Sequence, residues 1–391
     1  MRIAISGAGV AGAALAHWLH RTGHSPTLIE RAAAFRTGGY MIDFWGIGYR
    51  VTRKMGIESA IRDAGYEVGA VRSLRSDGAT RAELRVDVFR RMVGDDLTSL
   101  PRGDLAAAIY RTIEGSVPTL FDDSITGIDQ HSDGVRVTFE NAPAGDFDLV
   151  IGADGLHSNV RRLAFGPEER FEHYLGCKVA ACVVDGYRGG SGSDAYLTYS
   201  VPGRQIGQFT LRGDRTMFLF VFRDEHDDRG MTPKEQLHNQ FDDAGWESRQ
   251  VLAAVDQVED LFFDVVSQIR MDRWSEDRVL LIGDAAGCIS LLGGEGTGLA
   301  ITEAYALAGE LARAGDDHRR AFESYESLLR PFIEGKQAGA ERLLGFFATR
   351  TRFGLWFRDV AMRTMNLGRP VAGLFAGSLR DNLDLPDYGI G

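Results

Sequence analysis

The chain has 391 residues, a formal net charge of -11, nine scattered histidines and three cysteines. Its length allows two or three domains, because one hydrophobic core rarely grows past ~250–300 residues. The acidic balance argues against a nucleic-acid binder. Cys177, Cys182 and Cys288 form neither a disulfide framework nor a metal-ligand spacing, so no metal and a reducing cytoplasm are expected.

Arg2–Ser6 reads as a short buried strand, Ala11–Thr22 as a helix stopped by Gly23, and Ser25–Glu30 as a second strand. This βαβ opening implies an α/β fold with a parallel sheet. The positive start and small apolar run to Ala16 resemble a secretory signal. Three regularly spaced glycines inside the run argue against that reading. No stretch reaches the ~18–20 apolar residues of a transmembrane segment.

Between the first strand and helix lies Gly7-Ala8-Gly9-Val10-Ala11-Gly12. Gly7 suits a tight turn, Gly9 close approach of backbone to a pyrophosphate, and Gly12 close helix–strand packing. The positive end of the helix favours phosphate, and Glu30 is placed to accept hydrogen bonds from a ribose. These features point to a dinucleotide without choosing which one.

Arg102-Gly103-Asp104-Leu105 precedes a helical run, with Asp104 favourable to the helix dipole. From Asp148 an apolar strand runs into Asp154-Gly155, followed by a helix that Ser158 or Asn159 starts. Asp154 stands either at a ligand-binding strand end or as a helix cap. Val179–Val184, Ala195–Tyr199 and Gly203–Phe222 read as strands of a twisted, half-exposed sheet, with a hairpin turn at Arg212-Gly213-Asp214. Gly189–Ser193 reads as a loop and Asp224–Arg229 as a solvated turn.

A second buried strand delivers Gly283-Asp284. The glycine-rich Gly293-Gly294-Glu295-Gly296-Thr297-Gly298 then feeds a helix near Leu299. Asp284 suits a polyol, and the helix dipole suits negative charge on a cofactor ring. Glu295 reads either as a solvated loop residue or as an acid that tunes the ring. Helices follow from Thr302 to about Gly377. In the tail, Phe353, Trp356, Phe357 and Val360 fall on helical packing spacing. A helix bridging two domains, with its arginines in solvent, is expected there rather than a membrane-surface helix.

In this order and spacing the motifs resemble the class A flavoprotein monooxygenases, the para-hydroxybenzoate hydroxylase family. Gly38-Gly39 to Gly46, the Phe262–Gln268 strand and the arginine-rich tail look similar to the branch of tetracycline-inactivating and related polycyclic-substrate enzymes. The resemblance implies FAD. Gly7, Gly9, Ala11, Gly12, Glu30 and Arg31 would serve its ADP half, and Arg102 would lie along it. Asp154 and Gly155 would touch FAD and the nicotinamide, and Asp284 would hold the ribityl chain. Gly294, Gly296, Thr297 and Gly298 would back the isoalloxazine. It further implies NADPH or NADH as transient reductant, molecular oxygen as co-substrate, and hydroxylation through a flavin C4a-hydroperoxide.

The implied fold is a Rossmann-like FAD domain interrupted by a mainly antiparallel β domain, plus C-terminal helices. The expected partition is 1–67, 100–172 and 270–320 for FAD, 68–99 and 173–269 for substrate, and 321–391 for the helical segment. Candidate pocket residues for an aromatic or polycyclic substrate are Met41, Asp43, Phe44, Trp45, Tyr196, Gln208, Phe220 and Phe222. The chain departs from the family pattern at Gly287–Leu292, which lacks the usual His and Pro, and at Gly298, where the family has Asn. That departure keeps open a second reading, an FAD oxidoreductase or cyclase without net oxygen insertion.

Overall fold

The computed structural model describes residues 1–35, 40–94, 96–187, 189, 194–224, 230–366 and 383–390. The chain opens with β1 (Arg2–Ser6), α1 (Val10–Arg21) and β2 (Ser25–Glu30). Then come β3 (Met41–Trp45), α2 (Gly46–Lys54), α3 (Glu58–Ala64), β4 (Ala70–Leu74), β5 (Thr80–Arg85), α4 (Val86–Val93), β6 (Leu97–Pro101) and α5 (Arg102–Tyr110). Next are β7 (Thr119–Phe121), β8 (Ile125–Gln130), β9 (Val135–Phe139), β10 (Gly145–Phe147), β11 (Leu149–Gly152) and α6 (Asn159–Ala164). The middle holds β12 (Glu172–Asp185), β13 (Ala195–Val201), β14 (Arg204–Leu211), β15 (Arg215–Arg223), α7 (Pro233–Phe241), α8 (Ser248–Val255) and β16 (Phe262–Ile269). The chain returns through β17 (Ser275–Glu276), β18 (Val279–Leu281), α9 (Asp284–Gly287), α10 (Gly296–Ala314), α11 (His318–Phe347) and α12 (Arg352–Met365).

A six-stranded sheet has the order β17-β18-β11-β1-β2-β7 and is parallel except at β17. Its central strands are apolar runs buried on both faces, as covered parallel strands must be. The Ala-rich α1 and α10 are buried nearly all round and pack on one another above this sheet. Parallel register puts the ends of β1, β2, β11 and β18 on one edge, where ligands bind in open α/β sheets.

The second large sheet has the order β16-β12-β15-β14-β13-β4-β5, antiparallel except where β4 meets β13. Phe218, Phe220 and Phe222 on β15 point toward α7 and α8 and pack with Leu237, Phe241, Val251 and Leu252. The hairpin expected to be half-exposed is therefore buried on both faces, because helices cover one and a cavity-lining layer covers the other. Parallel and antiparallel sheets with C-terminal helices make the α/β class that the sequence implies.

The tail corrects the sequence reading in detail. α12 docks on β5 and β13 through Leu355, Arg358, Ala361, Met362 and Met365. Phe353, Trp356 and Phe357 are instead exposed, at 72%, 57% and 60%. The packing stripe is the one containing Arg358, which is buried rather than solvated. Its guanidinium donates to Ser200 Oγ and Gln205 Oε1, both at 3.1 Å, and so supplies the polar partners that an all-apolar stripe would not need. α11 packs on α10 and α12 on the second sheet, so the pair bridges them. Gly38, Gly39, most of the Gly189–Ser193 loop, residues 225–229 and the tail at 367–382, including Leu374 and Arg380, lie outside the described residues. Among the described residues no helix is long and apolar enough to cross a membrane, and no group of three or more His, Cys, Asp or Glu side chains is placed to hold a metal ion.

Candidate active site

The turn after β1 leaves little room for any side chain. Gly7 has φ +98°, its N–H donates to the Ile29 carbonyl at 2.7 Å, and a Cβ there would lie 2.6 Å from the Ala153 oxygen. A Cβ on Gly12 would lie 1.9 Å from the Gly7 oxygen. Gly9 differs. A Cβ there meets only Arg102 Nη2, at 3.9 Å. Its freedom therefore serves the space above it rather than the packing below. An open, positively polarised helix start facing a guanidinium fits a pyrophosphate.

Glu30 accepts from the amides of Ala8 and Ala32, both at 2.9 Å, and so fixes the same turn. Ala11 is buried beneath Gly283, and Arg31 is exposed beside the turn. Arg102 begins α5 itself, with Pro101 as N-cap, and makes no ion pair among the described residues.

Asp284 starts α9 after Gly283, whose φ is +62°. Burial pushes its carboxyl up and the nearby Arg102 cation pulls it back. A Cβ on Gly296 would stand 3.6 Å from Asp284 Oδ1, so the glycine-rich loop closes on this acid. The loop is shaped by contacts that exclude side chains. A Cβ on Gly48 would lie 2.5 Å from Gly298 Cα, where α2 crosses α10, and Gly294 has φ +71° beside Trp45. α10 begins at Gly296 rather than near Leu299, with Thr297 in its first turn. Glu295 is not a solvated loop residue: its side chain is 10% exposed and accepts from Lys336 Nζ at 2.7 Å.

Asp154 behaves as the cap that the sequence left open. Oδ2 accepts from the amides of Asn159 and Val160 at 2.9 and 3.0 Å and from Ser6 Oγ at 3.2 Å. Oδ1 accepts from Ser158 Oγ at 2.5 Å. Ser158 itself caps α6 by accepting from the Arg161 amide. The Asp154 carboxylate thus holds the turn shut, and Gly155, at φ +81° with open space beside it, is the accessible member of the pair.

Two groups that sequence reasoning missed surround these turns. Glu303 on α10 is buried and accepts from the Gly283 amide at 2.6 Å and the Tyr325 hydroxyl at 3.0 Å. Burial, with the Asp284 charge adding, raises its carboxyl to about 7. The folded chain keeps this proton at pH values where an unfolded glutamate has lost it. The group's contribution to stability therefore falls as pH rises from about 4.5 toward 7 and is level above. Glu303→Gln is expected to remove that slope in thermal melts across this range.

His157, beside Gly155, meets Glu168 at 2.8 Å through Nδ1 and Asp264 of β16 at 3.0 Å through Nε2. Asp264 chiefly, and Glu168, raise it to about 9 against burial. The folded imidazolium is favoured, so the stabilisation is complete below the ordinary imidazole value and is lost as pH rises through about 9. In melts from about pH 6 to about pH 10, wild type should lose its advantage over His157→Gln near the upper end. A constant difference would contradict this.

Between β3, β6 and the second sheet lies a cavity of about 330 Å³. Met41, Asp43, Ser99, Tyr196, Thr198, Gln205, Phe209, Met217, Leu219 and Gly294 are among its walls. Asp43 also borders a smaller cavity with Trp45, Phe44 and Glu295. Asp43 Oδ1 accepts from Ser99 Oγ at 2.5 Å. Desolvation pushes the carboxyl up although the cavities leave it accessible. The Met41 amide donates to Met217 Sδ at 3.0 Å, joining the ribbon to the sheet.

Three of the expected pocket residues are corrected. Gln208, Phe220 and Phe222 lie on the helix-covered face, where Gln208 Nε2 donates to the Gly189 carbonyl and the two rings pack on Phe241. Alternation then places Gln205, Phe209, Met217 and Leu219 on the cavity side.

Comparison with known proteins agrees with this geometry. Residues 1–336 match the family model described as an FAD binding domain. A flavin-dependent monooxygenase of Legionella longbeachae is 32% identical, over 99% of this chain and 98% of its own. Another flavin-dependent monooxygenase, from an unknown prokaryotic organism, is 36% identical over 92% of this chain and 89% of its own. The crystal structure of the tetracycline destructase Tet(55) superposes with a TM-score of 0.84 at 30% identity, covering 99% of this chain and 98% of that one. The open cradle over Gly9, the acid-bearing turns on one sheet edge and these matches together show that the chain belongs to the FAD binding domain family of flavin-dependent monooxygenases.

Proposed function

We propose that this enzyme hydroxylates a flat, largely apolar aromatic or polycyclic small molecule, with FAD bound, NADPH or NADH as reductant and molecular oxygen as co-substrate. The observation that carries the reading is the mainly apolar cavity that has Gly294 of the glycine-rich loop in its wall. Bound FAD supplies the reduction of oxygen and its transfer to carbon; the protein binds, orients and excludes water.

In this reading the α1 N-terminus at Gly9 holds the pyrophosphate, with Gly7 and Gly12 shaping the turn over Ala11. Glu30 takes the adenosine ribose, Arg31 flanks it, and Arg102 lies along the phosphates. Asp284 holds the ribityl hydroxyls. Gly294, Gly296, Thr297 and Gly298 back the ring. Gly155, set by the Asp154 clamp, serves the cofactor and the incoming nicotinamide. Met41, Asp43, Trp45 and Tyr196 face the substrate, with Asp43 and Ser99 as the polar pair that orients its hydroxyl groups. The partition is 1–67, 100–172 and 270–320 for FAD, 68–99 and 173–269 for substrate, and 321–391 as the helical bridge. Three buried free cysteines support a cytoplasmic setting.

Oxygen uptake and product mass, measured with a panel of hydroxylated polycyclic aromatics, test the reading. One oxygen atom gained per NADPH consumed supports it. Turnover of a panel member without added oxygen would replace hydroxylation by the oxidoreductase or cyclase reading.

A further inference from the structure

Glu295 stands between two glycines of the loop assigned to the flavin ring, yet its side chain turns inward. It meets Lys336 of α11 at 2.7 Å, and the two side chains are 10% and 6% exposed. The ammonium also lies 5.3 Å from the centre of the Phe332 ring, and Phe332 and Glu295 share the wall of the smaller cavity with Trp45 and Gly298. Desolvating two charges is costly, and a buried ion pair adds little net stability over an apolar pair. Fold stability alone is thus a weak reason for the pair. Its geometry has two other consequences. It ties the loop to the helix that leads into α12, and it pairs the carboxylate of the loop assigned to the ring with a cation.

We propose that Lys336 is a positioning residue of the flavin site: it clamps the Gly294–Gly296 loop to α11 and neutralises Glu295, setting the reduction potential of the bound FAD. The inference rests on the assignment of this loop to the ring. A ring that gains negative charge on reduction is harder to reduce once a nearby cation is removed and easier once a nearby anion is removed. The two single variants therefore have opposite signs, which loosened packing alone would not produce.

The test is the two-electron potential of the FAD-bound protein, measured by equilibration with a reference dye, together with FAD affinity. Lys336→Met is expected to lower the potential relative to wild type at the same pH. Glu295→Gln is expected to raise it, against wild type at the same pH. Each shift should be about tenfold in the equilibrium constant, about 30 mV for two electrons. The double variant should return to within about a third of the wild-type shift range, and Lys336→Arg should stay near wild type. If Lys336→Met does not fold, Glu295→Gln and the double variant decide the matter, since a raised potential restored by the second change is still required. Shifts of one sign, no shift, or no restoration in the double variant overturn the proposal while leaving the FAD reading intact. Wild-type protein that takes up no FAD would instead overturn the FAD reading itself.

Discussion

Gly9→Val is expected to give a folded protein that has lost FAD, whereas Gly12→Ala is expected to damage the fold itself. Both positions belong to one six-residue motif, and the difference lies in what each lacks a side chain for. Gly9 has φ -68°, a conformation open to any residue, and nothing of the protein nearer than the Arg102 guanidinium. Valine there meets no backbone, but it fills the volume over the helix start where a pyrophosphate would lie. FAD affinity should fall about 100-fold or more, roughly 3 kcal/mol, with the far-ultraviolet circular dichroism unchanged. At Gly12 a methyl group would lie 1.9 Å from the Gly7 oxygen, and only displacement of α1 from β1 relieves that contact. A loss of about 1–3 kcal/mol in chemical denaturation follows, with FAD lost as a consequence. If Gly9→Val bound FAD as wild type does, the cradle would be elsewhere.

The second large effect separates neighbours on one strand. Phe220 is fully buried against Phe241, 5.3 Å between ring centres, on the helix-covered face. Phe220→Ala is expected to cost about 3–5 kcal/mol, the range for emptying an aromatic site in a core. Its neighbour Leu219 faces the cavity. Leu219→Trp should grow into that space, leave stability within about 1.5 kcal/mol and FAD affinity unchanged, and raise KM for substrate at least tenfold. Denaturation midpoints and substrate-stimulated NADPH oxidation measure the two outcomes. A destabilised Leu219→Trp beside a tolerant Phe220→Ala would reverse the assignment of faces.

This pair also shows where sequence reading stops. Motif turns are legible because their chemistry is local: a glycine at a strand end, an acid three residues into a turn, a helix start. Parallel pairing then brings the turns after β1, β2, β11 and β18 to one edge without further information. The cavity is a different problem. Period-two alternation divides β14 and β15 into two faces and does not say which face the helices cover. Phe220 and Phe222 read from the sequence as substrate-facing, although α7 and α8, which follow them, bring the apolar residues that cover them.

The same ambiguity misplaced α12. Phe353, Trp356 and Phe357 suit a buried stripe by hydropathy, yet the sheet below offers Ser73, Ser200 and Gln205, which select Arg358. Glu303 and Lys336 carry no motif. A lone acid in an otherwise apolar helix face was the available signal for Glu303, and its partner, the Gly283 amide, comes from a turn 20 residues earlier.

The most direct test of FAD-dependent oxygen chemistry is the near-ultraviolet and visible spectrum of the purified protein. It is recorded first as isolated or reconstituted with FAD, then anaerobically with NADPH and an accepted polycyclic ligand, then after air. The flavin bands are expected to bleach with reductant and to return with oxygen as the ligand gains one oxygen atom. A colourless protein that cannot be reconstituted with FAD would contradict it.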